Sequence, residues 1–304
     1  MKNRNIALLL AVIALVTLLA CGDSAKAPKV LRVGFVPAED AAQVMQNAQP
    51  VVEILRKQLD MEVQPFVATD YTGVVEALRA NKLDVAFLTP ASYVLAKNET
   101  NVKVVLKSER KGIPSYYAAI ITRADSGIRT LEDLRGKTFA FGDSLSTTGH
   151  VFPRKMFKEH GIDPVRDFKQ VLYSGGHDAT VLAVLNGKVD AGATYANSPD
   201  NQDTAWMRYL KNPDDVKKIH AIAFSEPIPA DNLVINGSLD ERLAKKIENV
   251  FVELSRDPQG KKMLRELYQI DGFVSATDKD YDSVRQAFID AGIPLKEALQ
   301  KKRP

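Results

Sequence analysis

Short apolar runs of strand character alternate with stretches of helical apolar spacing along most of the chain, and this rhythm limits the fold more than any other feature. Residues 30–36 (VLRVGFV) read as a first strand, and residues 43–59 follow with helical spacing around Pro50. The pattern then repeats: strand 61–67, helix 72–82, strand 84–88, helix 91–97, strand 102–107. Such alternation predicts an α/β layer fold with a largely parallel sheet flanked by helices. A longer strand-like run at 115–122 restarts it. A helix near 131–134, a strand at 138–141, a helix reaching residue 160, strands at 168–174 and 189–194 around a helix at 179–185, a polar helix at 202–211 and a strand at 217–224 follow. Residues 225–231 form a proline-stiffened connector, and 232–235 are strand-like again. From residue 239 onward the spacing is helical, at 241–254, 259–268 and 281–291, and these helices have no strands left to pair with. The reading is therefore two lobes, each a mainly parallel sheet flanked by helices. Residues 29–118 and 233–304 make the first and 119–232 the second, joined by a two-strand hinge near 117–122 and 231–235.

Composition fits a folded two-lobed chain: 304 residues, 45% hydrophobic and 26% charged, rule out a disordered polymer. The N-terminus is set apart. Lys2 and Arg4 precede an uncharged apolar run at 6–19 that is too short for a comfortable membrane span and matches a secretory signal removed from the mature chain. It ends in Leu18-Leu19-Ala20-Cys21, which resembles the bacterial lipoprotein signal, so residues 1–20 are expected to be cleaved and Cys21, the one cysteine, to carry lipid. The mature chain is then tethered to a membrane in the periplasm or at the cell surface. Losing Lys2 and Arg4 lowers the formal net charge from +3 to +1. With no basic patch interleaved by aromatics, nothing points to nucleic acid. His150, His160, His177 and His220 are dispersed and offer no metal-ligand spacing, so neither a metal nor another cofactor is expected.

The stretch Phe141-Gly-Asp-Ser-Leu-Ser-Thr-Thr-Gly-His-Val-Phe-Pro153 joins a strand to a helix. At such a turn backbone N–H groups lack intrahelical partners and the helix dipole favours negative charge, so Ser146, Thr147 and Thr148 read as an oxyanion cradle. Capping accounts for the same residue types, with Ser146 as the N-cap. Pro153 cannot donate to the carbonyl of Gly149, so the first turn is distorted or the regular helix starts later. Small residues at Ser174-Gly-Gly-His177 let a backbone approach a ligand at the next strand end, and Asp70-Tyr71-Thr72-Gly73 forms a third strand-to-helix turn.

In combination these segments resemble the substrate-binding lipoproteins of bacterial phosphonate, phosphite and phosphate ABC importers, the PhnD-like group of the type II periplasmic-binding-protein fold. The similarity runs through Asp70-Tyr-Thr-Gly73, residues 84–93 (DVAFLTPASY), residues 143–149 (DSLSTTG) with Pro153-Arg154, Ser174-Gly-Gly-His-Asp178, residues 182–192 and residues 227–231 (PIPAD). It implies a monomeric binding protein that delivers a small phosphorus oxyanion to an ABC permease and its ATPase. Carried over residue by residue, it implies ligand contacts from Ser146, Thr147, Thr148, Tyr71, His177 and Asp231, with Tyr93 and Tyr195 as further pocket aromatics. A carboxylate such as Asp231 facing an anion is repulsive unless the ligand oxygen carries a proton, which selects P–OH over sulfate. Aminoalkylphosphonate binders of the family carry an acidic residue where this chain has Tyr195-Ala196-Asn197, so the resemblance favours phosphite, methylphosphonate or phosphate. An enzyme is a poor reading, because Ser146 with His177 lacks a nucleophile elbow or an orienting acid. A sensory binding component, or a binder of another oxyanion, stays open on the same fold.

Overall fold

A computed structural model describes residues 28–200 and 202–295. The first lobe opens with β1 (Val30–Phe35), α1 (Ala41–Leu59), β2 (Glu62–Val67), α2 (Tyr71–Arg79), β3 (Val85–Leu88), α3 (Pro90–Glu99) and β4 (Lys103–Glu109). β1 is an inner strand of this sheet, with Leu31, Val33 and Phe35 as fully buried apolar side chains. It pairs parallel with β2 on one side and β3 on the other, and each parallel pair requires a crossover, supplied by α1 and α2. Arg32 reaches across to Asp84 at 2.8 Å, fixing the start of β3. α1 is started by the Asp40 side chain accepting from Gln43 N–H, carries Pro50 within it, and buries Val44, Ala48, Val51, Val52, Leu55 and Leu59 along one face.

The second lobe comprises β5 (Ser115–Arg123), β6 (Thr138–Phe141), α4 (Phe152–Glu159), α5 (Pro164–Asp167), β7 (Gln170–Tyr173), α6 (His177–Leu185), β8 (Ala191–Ala196), α7 (Ala205–Tyr209), α8 (Pro213–Val216), β9 (Ile219–Phe224) and β10 (Ile228–Pro229). Its strands lie in the order β10-β5-β8-β6-β7, with β9 on β5. Phe139 packs edge-on against Phe141 and Phe157, an aromatic core that holds α4 on the sheet. The chain then returns to the first lobe through β11 (Asn232–Ile235), α9 (Glu241–Leu254), α10 (Pro258–Tyr268), β12 (Gly272–Ser275) and α11 (Asp282–Asp290). That sheet reads β12-β4-β11-β3-β1-β2.

The α/β reading and the two-sheet division hold, and four details change. Both sheets are mixed: β11 runs antiparallel to its neighbours β3 and β4, and β5 antiparallel to β8, because the strands next to the crossings arrive from the other lobe. The C-terminal third is not wholly helical, since β12 pairs antiparallel with β4 from Gly272 opposite Glu109 to Ser275 opposite Leu106. The crossings lie at residues 110–114 and 230–231, whereas 117–122 and 232–235 sit inside paired strands. In the first crossing Arg110 and Ile113 exchange N–H···O=C bonds of 3.0 Å around Lys111 and Gly112, both at positive φ. The second is tied to it by Ala230 N–H on Pro114 O at 3.0 Å. α11 packs on both α3 and α4, so it lies across the lobe boundary and not on the first lobe alone. Among the described residues no helix is long and apolar enough to cross a membrane.

Candidate ligand-binding site

The carboxyl ends of the parallel strands of both sheets face one another, which is where open α/β sheets bind ligands. From the first lobe come Tyr71 at the start of α2, after Asp70 caps it by accepting from Gly73 N–H, and Thr89, the N-cap of α3. From the second come the cradle turn after β6 and His177 at the start of α6. A cavity of about 50 Å³ between the lobes is lined by Tyr71, Thr89, Thr148, His177, Tyr195 and Asp231 together with Ala38, Glu39, Arg110, Tyr116, Arg208, Tyr209 and Tyr268.

The cradle turn is a π-helical turn, Thr147–Val151, that leads directly into α4. Ser146 Oγ accepts from Gly149 N–H at 3.0 Å, and Ser146 O accepts from both His150 N–H and Val151 N–H. Pro153 has no N–H for Gly149 O, which accepts instead from Gly142 N–H at 2.9 Å, so the turn is widened and the regular helix begins at Phe152. A Cβ on Gly149 would lie 2.8 Å from Ser146 Oγ and 3.2 Å from Gly142 Cα, which only glycine avoids. The expected distortion at Pro153 is thus present.

The expected cradle divides by role. Thr148 lines the cavity. Ser146 is committed as the cap, and Thr147 Oγ1 accepts from Ala91 N–H at 2.9 Å, linking the second lobe to the first. Neither is among the residues that line the cavity, and each hydroxyl accepts from a backbone N–H while keeping its own proton to donate. Tyr93 is not in the cleft: its hydroxyl donates to Asp278 at 2.6 Å and its ring packs on Tyr281. It sits within α3, beyond the N-terminal turn that faces the ligand edge, and so points into the lobe.

Tyr71 Oη is buried without a hydrogen-bond partner, and burial, reinforced by the charges of Asp143 and Asp231, keeps its hydroxyl protonated well above the ordinary tyrosine range. Burial pushes Tyr195 up to about 12, and its hydroxyl donates to Gln269 Oε1 at 3.0 Å. His177 is pushed down to about 4, by burial first and the Arg208 charge second, so the ring is neutral at neutral pH. Its Nδ1 pairs with Thr194 Oγ1 at 3.1 Å, which leaves Nε2 available to a ligand. The cavity therefore presents the un-ionised Tyr71 phenol, the Thr148 hydroxyl and a neutral imidazole, all able to donate to an oxyanion, whereas the Tyr195 proton is taken by Gln269.

Two ion pairs that the sequence reading missed border these groups. Arg208 holds Glu39 at 2.9 Å and also donates to the carbonyls of Glu266 and Leu267, joining the lobes. Arg110 Nη2 donates to Asp231 Oδ2 at 3.0 Å and to Tyr268 O at 2.9 Å, while its Nε and Nη1 are buried without partners. Asp231 is thus not a lone carboxylate but half of an ion pair. Nothing local marked Arg110, which reads in sequence as one charge of the turn Glu109-Arg110-Lys111-Gly112. Among the described residues no cluster of His, Cys, Asp or Glu could hold a metal ion.

Two α/β lobes with mixed sheets, connected by a double crossing and closing over a small cavity, define a type II periplasmic substrate-binding protein. The family model for the periplasmic substrate-binding protein of phosphonate ABC transporters matches residues 33–281, and the chain belongs to that family. It is 30% identical over 260 residues to the phosphonates-binding periplasmic protein of Escherichia coli K12, covering 84% of this chain and 75% of that one. It is 28% identical over 282 residues to the phosphate-import protein PhnD of Mycolicibacterium smegmatis, covering 85% and 84%. The crystal structure of a binding-protein component of an ABC phosphonate transporter from Pseudomonas aeruginosa superposes with a TM-score of 0.78 at 26% identity, over 88% of this chain and 87% of that one. The protein is accordingly an extracytoplasmic substrate-binding component of a phosphonate/phosphate-type ABC importer, and not an enzyme.

Proposed function

We propose that the ligand is a small phosphorus oxyanion, namely phosphite, phosphate or methylphosphonate, held by Tyr71, Thr148 and His177 with Asp231 accepting a proton from P–OH. The supporting observation is the convergence of the unpartnered Tyr71 hydroxyl, Thr148 and the neutral His177 ring on a cavity of about 50 Å³. Such a space admits a small ligand. A tetrahedral oxyanion with one small substituent suits a space of that order better than a ligand with a further aminoethyl arm. The arm also lacks a partner: Glu39 is held by Arg208, and Asn197, in the segment where relatives that bind aminoalkylphosphonates carry an acid, donates to Asp203. Ser146 and Thr147 act one step back, shaping the turn that presents Thr148. Asp231 keeps Oδ1 for the ligand while Oδ2 accepts from Arg110, and a P–OH proton satisfies Oδ1 where sulfate cannot.

Tyr71→Phe and Thr148→Ala each remove one donor to a charged ligand. Each is expected to weaken binding by on the order of 1.5–3 kcal/mol, about tenfold or more, with little change in thermal stability. Wild-type affinity in both would exclude the cavity as the site. Delivery to a permease and its ATPase, as a monomer anchored through Cys21, completes the proposal. It is supported by the basic start, the apolar run 6–19 and Leu18-Leu19-Ala20-Cys21, which lie outside the described residues. Cys21→Ser should release the protein from the membrane fraction, and retention there would refute the anchor.

A further inference from the structure

We infer that Arg110 is a ligand-binding residue of this cleft, donating from its unshared guanidinium nitrogens to the bare oxygens of the anion while Asp231 takes the protonated one. The inference rests on the reading of the cavity as a phosphorus-oxyanion site and adds to it the cationic contact. Arg110 is 8% exposed and lines the cavity, yet only Nη2 has acceptors, in Asp231 Oδ2 and Tyr268 O. Nε and Nη1 are buried with none. Leaving charged donors unmet in a protein interior is costly, so they are positioned for an acceptor that the chain itself does not supply. Arg208 offers the contrast: its donors are spread over Glu39, Arg265 O, Glu266 O and Leu267 O.

Charge balance points the same way. Glu39 cancels Arg208, Asp231 cancels Arg110, and the facing His177 is uncharged. An anion entering this neutral surround meets positive charge only where a cation has donors to spare, and that group is Arg110. Its position is fixed on both sides, by the backbone pair with Ile113 and by the Tyr116 ring, 5.9 Å from the guanidinium carbon. The pairing also explains how a carboxylate is tolerated beside an anion: Arg110 compensates Asp231 and binds the ligand with different nitrogens. Together the two read one protonated and one ionised oxygen, the pattern of a hydrogen-bearing phosphorus oxyanion.

The test is calorimetry of phosphite, inorganic phosphate and methylphosphonate against wild type, Arg110→Lys, Asp231→Asn and the double variant Arg110→Gln/Asp231→Asn. The double variant removes both charges and so leaves no buried ion unpaired. If Arg110 contacts the ligand, the double variant binds about tenfold to a hundredfold more weakly than Asp231→Asn alone. If Arg110 only neutralises Asp231, the double variant matches Asp231→Asn, and the inference fails. Arg110→Lys keeps the charge but has one nitrogen for two tasks, so at least about tenfold loss is expected with melting near wild type. Wild-type affinity in that variant overturns the inference too. Wild type that binds none of the three anions removes the reading of the cavity itself, a failure separate from either of these.

Discussion

A buried imidazole with a hydroxyl on one nitrogen and an arginine nearby is held uncharged, and His177 has these surroundings. Its folded value of about 4 lies below the ordinary histidine value near 6.5. Between those limits the unfolded chain binds the extra proton and the folded one does not, so stability falls as pH is lowered through the window and is unaffected by this group above it. The loss reaches on the order of 3 kcal/mol at the acid end. Thermal melts from about pH 7 to about pH 4 should show it, and His177→Gln should flatten that slope; an unchanged slope would mean that folding leaves the His177 pKa where it stands in the unfolded chain. Tyr71, Thr148, His177 and Asp231 were legible in the sequence because three of them sit at strand-to-helix turns and Asp231 ends a proline-stiffened connector. Arg110, Arg208 and Tyr116 were not, because they meet only when the crossing at 110–114 and α7 are folded against the other lobe. Tyr93 was misplaced for the converse reason: a polar aromatic in a matching segment says nothing of its direction, and here its hydroxyl belongs to Asp278.

At the scale of elements, the π-helical turn at Thr147–Val151 shows how a local backbone conflict shapes a site. Pro153 removes one donor, Gly149 O finds Gly142 N–H instead, and the widened turn carries Thr148 into the cleft while Ser146 caps from behind. Gly149→Ala tests this arrangement, since its methyl would meet Ser146 Oγ and Gly142 Cα at contacts that real side chains rarely show. The variant should lose roughly 1–3 kcal/mol of stability and bind more weakly, as the cap is pushed aside. Melting and affinity both equal to wild type would mean that the turn has slack. The distortion could be foreseen from Pro153 alone, its form could not. β12 was missed outright: four residues at a sheet edge, only Gly272 of them fully buried, give too little alternation to separate a strand from a loop. The mixed pairing of both sheets was equally hidden, since strand direction depends on which lobe the chain returns from.

Across the whole molecule, closure is written in bonds that span the lobes. Arg208 meets Glu39, Tyr195 meets Gln269, Thr147 accepts from Ala91 N–H, and His177 N–H donates to Ala38 O at 3.0 Å. Each joins a residue that lines the cavity, or its immediate neighbour, to the opposite lobe, so the geometry that encloses the cavity and the geometry that holds the lobes together are the same. The crossings at 110–114 and 230–231 carry Arg110 and Asp231, which places the pair both at the cavity and at the junction of the lobes. The two-lobed architecture was legible because strand and helix alternation runs through both halves, whereas the crossing points were not, because the flanking strands read as continuous apolar runs. The most direct test of the account is calorimetry of the wild-type protein against phosphite, phosphate, methylphosphonate, sulfate and 2-aminoethylphosphonate at one pH and ionic strength. A site for a small phosphorus oxyanion should bind at least one of the first three more than about tenfold tighter than either sulfate or 2-aminoethylphosphonate, a difference of about 1.4 kcal/mol. Sulfate or 2-aminoethylphosphonate binding as tightly as the best of the three, or no binding by any of them, would contradict it.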